Sequence, residues 1–155
     1  MAARYRRFII LAAAVVLADQ GVKLYMTSIL SPGQSQAIIP GLFSLVMWHN
    51  PGAAFGGLSG ISQARWLLSG VTVAALGVIL FLLRGSWGSN IKAAACLGLV
   101  AGGAAGNLID RLRLGWVIDY ILVYYRDWYW PAFNLADMGI TLGGLLLVVF
   151  MWKKS

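Results

Sequence analysis

The chain has 155 residues, of which 60% are hydrophobic and 11% charged, with a mean hydropathy of +0.79 and a net charge of +7. So apolar a balance excludes a soluble globular domain, in which about a quarter of the residues are charged. The lone Cys96 excludes an intrachain disulfide or thiolate cluster, and a chain with no glutamate and the single histidine His49 cannot build an H-E-x-x-H zinc protease.

The first predicted element follows Arg4, Arg6 and Arg7 and is uncharged from Phe8 to Ala18. It reaches spanning length only by running on to about Thr27, taking Asp19 and Lys23 with it. A basic stretch ahead of a short apolar core also describes a cleaved signal peptide. An uncleaved anchor is the better reading, because three further apolar stretches follow and Asp19 and Lys23 stand at i and i+4, where they can neutralise each other. The second stretch, Trp66 to Leu83, lies between Arg65 and Arg84, and the third, Ala93 to Ile109, between Lys92 and Asp110. The fourth, Phe133 to Trp152, spans if Asp137 sits in its outermost turn. The expectation is an all-α membrane protein of one domain, with four transmembrane helices at approximately 8–27, 66–83, 92–110 and 134–152.

Orientation follows from the basic residues. With both termini cytoplasmic, Arg4, Arg6, Arg7, Arg84, Lys92, Lys153 and Lys154 all fall on the inner side, so the positive charge is a topology signal rather than a nucleic-acid footprint. The long connections Ser28–Arg65 and Asp110–Ala136 then lie outside. They contain "LFSLVMWH" and "WVIDYILVYY", whose alternation predicts a small β-rich extracytoplasmic cap, and aromatic residues such as Trp48, Trp116, Tyr124, Trp128 and Trp130 that suit a membrane surface.

Gly98, Gly102 and Gly106 repeat every four residues on span three, as Gly139 and Gly143 do on span four. Small residues at that spacing let helix backbones approach closely. Spans three and four run antiparallel, so Asn107, Asp110 and Arg111 at the outer end of one should meet Asn134 and Asp137 at the outer end of the other.

A carboxylate at the centre of a membrane helix costs roughly 2.5–3.5 kcal/mol on insertion scales, so Asp137 needs a structural or functional reason. "GLSG" at Gly57–Gly60 matches the G-x-S-G of intramembrane serine proteases, with His49 as a possible base; a flexible glycine-rich turn explains it better. Paired aspartates are the stronger candidates. Two carboxyls sharing a proton have separated pKa values, so one can deprotonate a water while the other protonates a carbonyl oxygen. Asp119 in "GWVIDY" and Asp137 in "FNLAD" both sit in apolar surroundings at the outer boundary. Composition alone leaves that reading and a structural salt bridge with Arg111, Arg113 or Arg126 both open.

Five motifs, in order and over nearly the whole chain, resemble the lipoprotein signal peptidases (signal peptidase II): "ADQGVK", "HNPGAAFG", "GGAAGNLIDRL", "VIDY" and "FNLAD". The resemblance implies an aspartyl endopeptidase of the bacterial inner membrane, with Asp119 and Asp137 as the catalytic dyad facing the periplasm or exterior. It implies substrate-binding or supporting roles for Asp19, Lys23, Asn50, Gly52, Asn107, Asp110, Arg111 and Asn134, and no metal or other cofactor. Asn107, Asp110 and Arg111 share a helical face, which makes Asp110 the expected structural partner of Arg111 rather than a third acid. Asp19 and Lys23 are expected either to stabilise the outer half of span one or to touch substrate. The implied substrate is a prolipoprotein whose cysteine carries diacylglycerol, cut just before that cysteine; membrane lipid is the other partner, and a monomer is expected. The rival readings are a four-helix proton or cation conduit, for which spans two and three offer almost no polar groups at mid-depth, and a structural subunit without an active site.

Overall fold

A computed structural model describes residues 2–52, 64–85 and 90–152. The "GLSG" stretch with Ser59, the Ala53–Gly56 part of "HNPGAAFG", and Lys153 and Lys154 lie outside the described residues. In chain order the elements are α1 (Ala2–Ile29), β1 (Ser35–Ile39), β2 (Phe43–Asn50), α2 (Ala64–Arg84), α3 (Ile91–Leu114), β3 (Val117–Tyr125), β4 (Trp128–Tyr129) and α4 (Leu135–Trp152). The protein is therefore mostly helical with a small antiparallel sheet, and α1, α2 and α3 are each long and apolar enough to cross a membrane. On α1 and α2, large apolar side chains such as Leu17, Leu24, Val71 and Phe81 point outward, as they do where lipid is the solvent.

The helix α3 is central, packed against α1, α2 and α4, and its composition explains why. Its Ala and Gly positions are small enough for neighbouring backbones to lie directly on it. The glycine positions let α3 pack closely against two different neighbours. A Cβ on Gly98 or Gly102 would come within 2.7 Å of the Phe8 carbonyl oxygen or 2.6 Å of that of Ala12, and one on Gly106 within 2.7 Å of Asp19 Oδ2, so this stripe seats α1. It is Gly103, pressed on the Ala136 carbonyl, together with Gly143, whose Cβ would lie 2.8 Å from the Cys96 carbonyl oxygen, that brings α4 against α3. Apolar packing is split between the two ends. Phe8, Ile79, Leu83, Ala94, Leu97 and Ala101 form one cluster between the helices, while Met26 and Leu30 of α1 meet Met47, Ile118 and Tyr120 of the sheet.

The sheet runs in the order β1-β2-β3-β4, all neighbours antiparallel, and β2 and β3 are the strands foreseen from their alternation. One extra residue in β2 shifts the register between Leu45↔Ile121 and Trp48↔Asp119. The consequence is local and specific. Without that bulge His49 would stand opposite Val117; with it Asn50 does, and Asn50 comes to the same face as Asp119. At the other boundary α3 stops at Gly115, whose φ of 92° suits a left-handed cap and whose N–H donates to the Arg111 carbonyl at 3.1 Å. The chain turns there, β3 begins two residues later at Val117, and Asp119 follows two residues after that.

Candidate active site

The site is built around the first turn of α4. Asn134 is its N-cap: the Asn134 carbonyl accepts the first helical bond from Met138 N–H, at 3.2 Å, and its side-chain Oδ1 accepts from Asp137 N–H at 3.0 Å. Asp137 Oδ2 returns the contact by accepting from Asn134 N–H at 3.2 Å, which is a capping box with aspartate as the acid. The two remaining N–H groups of this turn find partners elsewhere in the fold. Leu135 N–H donates to the Tyr120 hydroxyl at 3.0 Å and Ala136 N–H to Asp19 Oδ1 at 3.0 Å. A helix start that would otherwise leave unsatisfied donors in an apolar setting is thus held by α1 and by the sheet. The presence of Asp137 in the first turn has a structural reason as well as an available chemical one.

Beneath this turn lies a buried charge network. Lys23 Nζ contacts Asp19 Oδ2 at 2.8 Å, Asp110 Oδ2 at 2.7 Å and Asn107 Oδ1 at 3.2 Å, which uses all three ammonium hydrogens. Asp110 also accepts from Gln20 Nε2 at 2.9 Å and from Ile118 N–H at 3.1 Å. The expected pairing of Asp110 with Arg111 is therefore replaced by pairing with Lys23, because side chains adjacent on a helix point in different directions. Asp19 and Lys23 are 0% and 2% exposed, and their charged atoms are turned to one another and to α3 and α4. Gln20, which ties Asp110 and the Gly106 carbonyl to α1, has no signal in the sequence beyond its position one residue after Asp19.

Asp119 and Asp137 are joined through amides. Asn134 Nδ2 donates to Asp119 Oδ1 at 2.8 Å while its own oxygen holds Asp137 N–H, and Asn107 Nδ2 donates to Asp137 Oδ1 at 2.7 Å. From the other side Asn50 Nδ2 donates to Asp119 Oδ2 at 2.8 Å. The Asn50 oxygen accepts from Gly52 N–H at 2.9 Å, which fixes the amide's orientation with its nitrogen toward Asp119. Gly52 itself has φ of 118°, and a Cβ there would strike Leu68, so the turn needs glycine. Burial pushes the Asp119 carboxyl up to about 6; the Asn50 and Asn134 hydrogen bonds pull against that shift, and the Asp137 charge adds to it. Tyr120, which sequence reasoning passed over, has its hydroxyl pushed upward by burial, so it remains a neutral partner for Leu135. The remaining candidate, Arg111, is half-buried near the carboxyls, and its Nε has no hydrogen-bond partner among the described residues. His49 stacks on Trp116, with ring centroids 4.7 Å apart.

Such an arrangement holds two carboxyls on separate elements, one on a strand and one on a helix, at a boundary where an open cleft of about 450 Å³ reaches Asp137. The model of the family described as signal peptidase (SPase) II matches residues 11–153. The chain belongs to the signal peptidase II family. It is a peptidase of a membrane-protein family, and its relatives carry the same name across distant bacteria. The chain is 41% identical to the lipoprotein signal peptidase of Geobacter metallireducens over 155 residues, 100% of this chain and 96% of the relative. It is 43% identical to that of Syntrophus aciditrophicus, covering 96% and 93% of the two chains, and 40% identical to that of Pseudoalteromonas atlantica, covering 96% and 91%. Two solved structures of a bacterial membrane enzyme superpose with TM-scores of 0.83 and 0.82 at 29% identity. The first covers 94% of this chain and 87% of that one, and the second 96% and 94%.

Proposed function

We propose that this peptidase removes the signal peptide from diacylglyceryl-modified prolipoproteins, cutting before the lipidated cysteine, with Asp119 and Asp137 as a catalytic dyad. The observation that carries the reading is the tethering of both carboxyls to Asn134, Asp119 by its side-chain amide and Asp137 by its backbone N–H, with Asp119 buried and raised to about 6. A pair that shares one proton between them is the form the chemistry needs. The ionised member takes a proton from a water, the oxygen of that water bonds to the scissile carbonyl carbon, and the protonated member gives its proton to the carbonyl oxygen. Collapse of the tetrahedral intermediate breaks the C–N bond, and the proton taken from water passes to the leaving amine of the cysteine. Asn107, Asn134 and Asn50 hold the carboxyls; Arg111 is placed to bind the substrate; Asp19, Lys23 and Asp110 support the α4 turn from below.

The same reading makes α4, 18 residues long, the fourth membrane span of a single-domain, monomeric protein of the bacterial inner membrane. Both termini face the cytoplasm and the sheet and carboxyls face the exterior, because Arg4, Arg6, Arg7, Arg84 and Lys92 gather at the opposite end of the helices.

Cleavage of a lipidated precursor by the purified protein tests this directly. Asp119→Asn and Asp137→Asn should each lower the rate by roughly 10²–10⁴-fold or more while the protein still inserts and purifies, with the double variant little worse than either single one. The same precursor bearing an unmodified cysteine should not be cut measurably in detergent micelles. Full activity in either single variant would remove the dyad; equal rates on the two precursors would leave a peptidase without lipoprotein specificity.

A further inference from the structure

Asp119 and Tyr120 are neighbours on β3, so their side chains leave opposite faces of the sheet. Asp119 turns to the amides of Asn50 and Asn134, while the Tyr120 ring, 3% exposed, lies among Met26 and Leu30 of α1 and Met47 and Ile118 of the sheet. Leu135, the first residue of α4, packs against the same cluster. Tyr120 is tied twice to the stretch that opens this helix: its N–H donates to the Phe133 carbonyl at 3.1 Å, and its hydroxyl oxygen accepts from Leu135 N–H at 3.0 Å. One residue thus stands next to the first carboxyl in the chain and grips the turn that carries the second, since Asp137 is two residues beyond Leu135.

The Leu135 N–H belongs to the first turn, whose donors no carbonyl of the helix can reach. It lies against an apolar cluster, where a donor left without an acceptor is costly, so the phenol oxygen decides where this turn comes to rest. The Asn134 side chain reaches Asp119 but is itself part of the moving piece. We infer that Tyr120 is a positioning residue for the cleavage proposed above: by holding Leu135 N–H, its hydroxyl fixes the place of Asp137 relative to Asp119. The inference rests on the two-aspartate reading and adds to it. A bare ring at this position would still fill the cluster, but the turn would be free to slip toward another acceptor and carry Asp137 with it. Two carboxyls that share a proton titrate in two steps, and the closer they stand the farther apart those steps lie. Asp19 and Lys23 of α1 and Asp110 and Arg111 of α3 also surround the pair; the ion pairs of Lys23 do not involve the Tyr120 hydroxyl and stay as they are when it is removed.

Tyr120→Phe removes the hydroxyl and keeps the ring. With the full chain in detergent micelles and a lipidated precursor, it should lower kcat by about tenfold or more and leave KM within about twofold of wild type, because small displacements of a reacting group cost up to about 10²-fold and a residue buried this deeply does not meet the substrate. The acid and alkaline limbs of its kcat profile should draw together. Tyr124→Phe takes a hydroxyl from the same strand, where it accepts from Ser44 at 3.2 Å, and should keep both the rate and the profile. Amide exchange gives a readout without substrate: Leu135 N–H should be protected in the wild type and exchange about tenfold or more faster in Tyr120→Phe. A kcat within about twofold of wild type, a loss that falls on KM, limbs that keep or widen their separation, the same loss in Tyr124→Phe, or an unprotected Leu135 N–H in the wild type would each overturn the inference while leaving the aspartates in place. Wild-type protein that does not cut the lipidated precursor would instead strike the cleavage reading itself, and the positioning role with it.

Discussion

Asp119 is held at about 6 by opposed influences, and the balance has a testable sign. Burial favours the protonated carboxyl, while the Asn50 amide, 2.8 Å away, favours the charged one. With a singly protonated pair as the working form, activity falls at high pH when the shared proton leaves and at low pH when a second arrives. The two limbs belong to the pair and to neither residue alone. Removing a donor to the charged form raises the carboxyl's affinity for its proton. Asn50→Ala should therefore move the alkaline limb of kcat/KM upward by roughly one pH unit, since a charge-assisted hydrogen bond is worth about 1.5–3 kcal/mol and one pKa unit about 1.4 kcal/mol. A pH profile of the two proteins decides it. A limb that shifts downward, or a drop in rate with no shift, would detach Asn50 from the titration of Asp119.

Between elements, the tightest junction is where Gly103 of α3 meets the backbone of α4 at Ala136, next to Ile140. A methyl group there confronts a carbonyl that cannot swing aside, and overpacking of this kind costs about 1–3 kcal/mol. It would also displace the turn that carries Asp137, and small misplacements at a reacting centre cost up to about 10²-fold in rate. Gly103→Ala should lower both Tm and cleavage. Gly77→Ala, on α2 with nothing within 4 Å of the added carbon, should leave cleavage intact and stabilise by about 0.5–1 kcal/mol. Thermal unfolding and precursor cleavage, measured on the two variants side by side, separate them; a Gly103→Ala protein as stable and active as wild type would mean that α4 is not held at this junction. The helices are legible in the sequence because apolar runs between charges need no partner to be recognised, and β2 and β3 because alternation has its own period. The bulge in β2 is not, since one added residue leaves the alternation of "LFSLVMWH" undisturbed while changing which side chain faces Asp119. Nor is the partner of Asp110: Lys23 lies 87 positions earlier on another helix, and only the closeness of α1 to α3 at the glycine stripe brings the two together. Tyr120 escapes notice for a similar reason, because its role depends on the start of α4 lying against the sheet.

For the whole molecule the proposed orientation can be checked without any chemistry at the site. In a Cys96→Ala background, Gln36→Cys in β1 should react with an impermeant thiol reagent in intact spheroplasts, and Ala3→Cys at the start of α1 should react only after the membrane is opened. The reverse pattern would invert the protein and place the carboxyls on the cytoplasmic side. The charge network bears on how such a molecule is made. Span one enters the membrane carrying Asp19 and Lys23 at a time when Asn107, Asp110 and Ala136 have yet to be synthesised. Their i, i+4 spacing, with a 2.8 Å contact, lets the two travel as a neutral couple that needs no other chaperone for its charges. In the folded protein Lys23 reaches Asp110 and Asn107 while keeping Asp19, and Ala136 N–H donates to the other oxygen of Asp19. The first helix made thus presents, as a single pair of side chains, the mooring for both α3 and the first turn of α4.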